Sequence, residues 1–186
     1  MRYFAGFLVA IGLLVLVIVV VIKGFSHSST PKTPVITLSD YATTGTTMQL
    51  TIDGPLTDDA HHQGLRINIG QNQNTIQTYQ GYQSNITYTE TFPSNTAAYT
   101  SFLHSLQLYG FTKGNTDPNK ADERGYCPSG NRYLYEIIGD SGTSTQRWWN
   151  TSCAGQGNFG GNGPQVRNIF FKQIPDYTKV ASKVAI

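Results

Sequence analysis

Met48-Gln49-Leu50-Thr51-Ile52-Asp53 alternates apolar and polar residues without a slip, and Leu65-Arg66-Ile67-Asn68-Ile69 repeats the alternation. Successive side chains of a strand point to opposite faces. Each stretch therefore reads as a half-buried β-strand. Asp53-Gly54-Pro55 ends the first and a polar loop joins it to the second, so the two read as antiparallel partners.

Working outward, residues 75–79 and 82–91 are strands by their Thr, Tyr and Ile content, with Gly81 marking a bulge or turn between them. Residues 35–38 form a short β-prone run. Residues 133–138 and 146–149 flank Gly139-Asp140-Ser141-Gly142, a hairpin signal. The period then changes at Tyr99, Phe102, Leu103 and Leu106, which fall at i, i+3, i+4 and i+7 and mark an amphipathic helix. Ser94 or Asn95 can cap its start, Gly110 can take the left-handed position at its end, and Phe111 falls where a Schellman motif wants a hydrophobic contact. Pro164 opens a second helix with Val166, Ile169, Phe170 and Ile174 on one face, and Pro175 stops it. The expected fold is a single α+β domain over residues 35–175, an antiparallel sheet of about six strands with two helices covering one face, followed by a short tail, 176–186, free to fray.

Cys127 and Cys153 stand nearly symmetrically about the hairpin, the midpoint of their numbers falling at Asp140. That places both at its open end, where cross-strand spacing suits a disulfide. The bond would close a loop of about 26 residues and contribute about 3–4 kcal/mol on the chain-entropy argument.

Before the domain, residues 3–22 hold no charge and no proline and are almost entirely Leu, Val, Ile, Phe and Ala. At 1.5 Å per residue such a run crosses a hydrocarbon core of about 30 Å. Residues 1–23 read as an uncleaved signal-anchor helix: the run exceeds a secretory h-region, and Lys23-Gly24-Phe25-Ser26-His27-Ser28 lacks a small-x-small cleavage pattern. A Ser/Thr/Pro linker, 24–34, follows and reaches at most about 38 Å, so the domain would work close to the membrane. Flanking charges do not set the orientation. Charged residues make up only 13% of the chain, against about 25% in ordinary domains. With a pairable cysteine couple, that composition places the C-terminal domain outside the cytoplasm, on a single-pass membrane protein. The net charge of +2 is mild and the basic residues are scattered, which argues against nucleic acid as a partner.

The chemistry-bearing motifs are sparse. Asp58, Asp59, His61 and His62 are the one cluster of metal-capable side chains, but adjacent histidines diverge in extended chain and no HExxH spacing is present. Gly155-Gln156-Gly157-Asn158-Phe159-Gly160 matches GxGxxG, yet the chain leaves no room for a second parallel strand after the following helix. Asp117-x-Asn119 begins like a calcium loop and then fails, with Asp122 at the glycine position and Pro128 at the bidentate glutamate position. There is no GxSxG elbow and no carboxylate pair of defined spacing. Trp148 and Trp149 are candidate ligand-binding aromatics, one facing the core and the other outward. Asn85-Ile86-Thr87 and Asn150-Thr151-Ser152 match glycosylation acceptors.

With no cofactor motif and no catalytic constellation, the expectation is a membrane-anchored extracytoplasmic binding or envelope-interaction module, contacting lipid through its helix and a protein or glycan through its domain. A metal-assisted hydrolase built on residues 58–62 and an accessory subunit of a membrane complex are the alternatives.

Overall fold

The computed structural model describes residues 37–186. The anchor, the linker and the start of the 35–38 run lie outside the described residues, and among the described residues no helix is long and apolar enough to cross a membrane. Six strands form one antiparallel sheet: β1 Thr47–Asp53, β2 Gln63–Ile69, β3 Gln73–Gln80, β4 Asn85–Pro93, β5 Arg132–Ile138 and β6 Ser144–Thr151, in the order β4-β3-β2-β1-β5-β6. The two alternating stretches are indeed neighbours, with Leu50 opposite Ile67 and Thr51 opposite Arg66. β1 is central and also pairs with β5, Leu50 facing Tyr135.

One face is apolar. Met48, Leu50, Ile52, Leu65, Ile67, Ile69 and Ile76 are buried there beneath α1, Thr96–Leu108, and α2, Gly163–Phe171. Helix α1 follows its capping signals closely. The Asn95 side chain accepts from the Ala98 amide, Gly110 has φ +75°, and the amides of Gly110 and Phe111 reach back to the carbonyls of Gln107 and Leu106. That is the paired bonding of a Schellman end, with Phe111 fully buried as its hydrophobic plug. Phe102 meets Phe170 edge to face at 5.1 Å, which locks α1 against α2.

Three expectations are corrected. Leu38 does not continue a strand: it opens a 3-10 turn, Leu38–Thr43, because the Asp40 carboxylate accepts from the Thr37 amide and offers the backbone a local alternative to a sheet. The second helix ends at Phe171, not Ile174. Gln173 and Ile174 bond instead to the carbonyls three residues back, tightening the chain before Pro175 while Ile174 still reaches the core. Finally, the segment after Pro175 is held. Asp176 takes a left-handed conformation, and α3, Tyr177–Ala181, stacks Tyr177 on Phe171 at 4.1 Å and buries Val180. Three α-helices, not two, therefore pack on the apolar face.

Cys127 and Cys153 are disulfide-bonded with Cα atoms 5.7 Å apart, just beyond the last β5–β6 pair, Arg132 and Thr151. The glycine segment after β6 has a structural task. Asn158 and Phe159 donate to the Trp149 carbonyl, and the Asn158 side chain accepts from the Trp149 amide at 2.7 Å, so the segment closes the β6 edge. A Cβ on Gly157 would overlap that same carbonyl, and one on Gly161 the carbonyl of Gly110. The GxGxxG match reflects close backbone approach.

Candidate functional site: a charged cleft on the uncovered sheet face

The residues alternating with the core set line up on the opposite face in three rungs. Tyr79, Gly64, Asp53 and Arg132 form one; Gln77, Arg66, Thr51, Leu134 and Trp149 the next; Thr75, Asn68, Gln49, Glu136 and Arg147 the third. Among the described residues no helix covers them. Two loops rise beside them instead, and between the loops lies a cleft of about 600 Å³.

The first wall is the 54–62 loop with the 81–84 turn. His62 is 1% exposed and stacks on Tyr82 with centroids 4.1 Å apart. Its Nε2 lies 2.8 Å from Asp53 Oδ1 and its Nδ1 3.1 Å from the Pro55 carbonyl. Asp53 also accepts from the Tyr79 hydroxyl at 2.9 Å and pairs with Arg132 at 2.5 Å, and Arg132 donates to the Gly54 carbonyl. The Tyr79 ring reaches Asp53 by lying over Gly64, where a Cβ would overlap it. Burial first, and the Asp53 charge second, push the Tyr79 hydroxyl well above the usual phenol range.

The second wall is the loop between α1 and β5, fastened to the sheet by β6. Trp149 donates from Nε1 to the Lys120 carbonyl and packs against Tyr126 at 5.0 Å. Arg147 Nη2 lies 2.6 Å from Glu123, its Nε 3.6 Å from Glu136, and its Nη1 donates to the Ala121 carbonyl. Gln49 donates to the other oxygen of Glu136 at 2.7 Å. The disulfide and the Leu56 amide bond to Pro128 complete the attachment.

Arg66 stands apart from these pairs. It projects from the middle rung into the cleft, with its guanidinium 5.6 Å from the Tyr79 ring. Among the described residues it makes no ion pair, and its Nε is buried without a hydrogen-bond partner. A partly desolvated guanidinium with open donors is a ready receptor for a carboxylate or phosphate.

The residues singled out in the sequence go to different places. His61 and Asp58 pair with each other at 2.8 Å on the exposed loop, where the ring hydrogen bond holds the Asp58 carboxyl below its usual range. Asp59 accepts from the Tyr82 amide, and His62 turns inward to Asp53. The four do not converge, because each is drawn to a different local hydrogen-bond partner, and among the described residues no group of three or more His, Cys, Asp and Glu could hold a metal. Both His62 nitrogens are engaged, so the ring has none left facing the cleft to serve as a general base. Nor do the tryptophans form a platform. Trp149 is 1% exposed under its loop, and Trp148 is half buried on the helix side with Gly114 against its indole. The Asn150 side chain accepts from Tyr135, whereas Asn85 is exposed at the start of β4.

The cleft residues themselves, Asp53, Arg66, Tyr79, Glu123, Glu136 and Arg147, were not singled out from sequence. Five of them show only as the polar half of the strand alternation, and Glu123, on a loop, has no such signal. Comparison of the chain with family models, curated proteins and solved structures finds no match.

Proposed function

We propose that the chain is a membrane-anchored extracytoplasmic binding module whose ligand seats in the cleft above the β1–β2–β5 rungs. The observation that carries this reading is Arg66, a partly desolvated guanidinium, unpaired among the described residues, in a concave site of about 600 Å³, a size typical of small-molecule pockets. Around it the other ionic groups pair with one another, one Arg147 serving both Glu123 and Glu136, and this fixed arrangement favours a preformed receptor over a catalytic centre. The apolar run 3–22 supports membrane attachment, and the low charge and the Cys127–Cys153 bond support placement outside the cytoplasm.

Two measurements test the proposal. Protease added to intact cells should reach the domain, and protection would overturn the outward placement. A chemically mixed fragment set screened against the full-length protein by NMR should shift signals of Arg66, Tyr82 and Glu123; absence of any cleft binder would overturn the receptor reading. The hydrolase alternative on residues 58–62 is not carried forward, since His61 and His62 diverge.

A further inference from the structure

The cleft has a sign at each end. Arg132 answers Asp53, and Arg124 answers Asp122 on the rim. Arg147 stands alone between Glu123 and Glu136, which leaves that end one carboxylate in excess. At the other end Arg66 has no carboxylate at all among the described residues. The floor between is neutral, made by Thr51 and Leu134, which pair directly across β1 and β5. One shoulder is apolar: Leu56 and the half-exposed Tyr82 line a side pocket of about 250 Å³ that shares Asp53 and Glu123 with the main cleft.

Building on the receptor reading above, we infer that the ligand is a zwitterionic short peptide, its carboxylate on Arg66, its ammonium on Glu136, which Arg147 meets only at 3.6 Å, and a side chain against Tyr82 and Leu56. The register supplies the length. Arg66 on β2 and Glu136 on β5 are two strands and one rung apart, so their Cα atoms are separated by about 12 Å. Side chains stand roughly perpendicular to the sheet, and each charged contact takes up about 3 Å. About 6 Å remains between the ligand's own charges, the span of a dipeptide at 3.3–3.6 Å per residue. A single amino acid is too short to reach both ends, and inorganic phosphate would leave the acidic end unanswered.

The test is calorimetry and NMR on the full-length protein with a pool of dipeptides bearing free termini, then with the same peptides acetylated or amidated. Free dipeptides should bind with shifts at both ends of the cleft, and blocking either terminus should weaken binding at least tenfold. Arg66→Gln should reduce the free peptides to the level of the amides and leave the amides unaffected, while Arg66→Lys restores part of the loss. Blocked peptides binding as tightly as free ones, or Arg66→Gln without effect, would overturn the inference. Fragments of a single charge that occupy the cleft when no dipeptide does would overturn it too and leave the receptor reading standing. An empty cleft against both sets would overturn both.

Discussion

The two faces of this sheet use the same strands for opposite ends. On the helix side, Leu50 and Ile67 pack into an apolar cluster with Phe102 and Phe170 of α1 and α2, Arg167 of α2 reaching only the Tyr135 hydroxyl, and the stability of that cluster is that of apolar area removed from water. On the other side, the residues one position away along each strand build an ionic network roofed, among the described residues, by loops. Desolvated charges add little net stability even when paired. The helix face holds the fold while the loop face holds a shape, and the two should respond differently to mutation.

The largest effect is expected on the helix face. Phe102→Ala removes a ring buried against Phe170 and should cost about 3–5 kcal/mol, read as a lowered denaturant midpoint with an unchanged slope. Opening the Cys127–Cys153 bond should cost about 3 kcal/mol. Its local signature is increased hydrogen exchange in the loop carrying Glu123, ahead of any change in α1.

On the ionic face, Asp53→Ala strands Arg132, which is 3% exposed. The loss should be about 2–3 kcal/mol, less than for a fully enclosed pair because the Asp53 side chain keeps 22% exposure. Adding Arg132→Met should recover part of it. If the double variant is less stable than the single, the network contributes more than it costs and the contrast between the faces fails.

High pH probes both faces at once. Burial raises Tyr99 and Tyr79 above the phenol range and pushes Tyr135 and Tyr177 up to about 12. An unfolded phenol loses its proton near 10.0. The stability that depends on these neutral hydroxyls is therefore complete below that pH and declines as pH rises toward about 12. Phenolate absorbance and circular dichroism should change together in that window.

The smallest stability change belongs to Arg66→Gln. With the Tyr79 ring as its one specific interaction among the described residues, it should move the midpoint by no more than about 0.5 kcal/mol. A large loss would show that Arg66 supports the fold and would weaken its role as a receptor.

Much of the helix face was legible beforehand. The β1 and β2 alternation, the capping of α1 from Asn95 to Phe111, the hairpin and the Cys127–Cys153 pairing all rest on local periodicity and backbone chemistry, which act within a few residues. Where local hydrogen bonding competes with pattern, as at Thr37 and Asp40, β-propensity alone points the wrong way. The docking of α3 was equally hidden, since nothing local told Val180 that a core lay within reach.

The site was the least legible part. Period-two alternation marks Arg66, Thr51 and Glu136 as facing away from the core, and says nothing about which of them meet. That depends on strand order: β5 lies beside β1 although three strands, a helix and a long loop separate them in sequence, and only this neighbourhood brings Arg132 to Asp53 and sets Glu136 beside Gln49. The sequence by itself determined the strands, the main helix, the covalent bridge and which side chains turn from the core. The tertiary structure alone decided that those side chains form a cleft with a sign at each end, because charge pairing is a property of distances between strands and periodicity is a property of one.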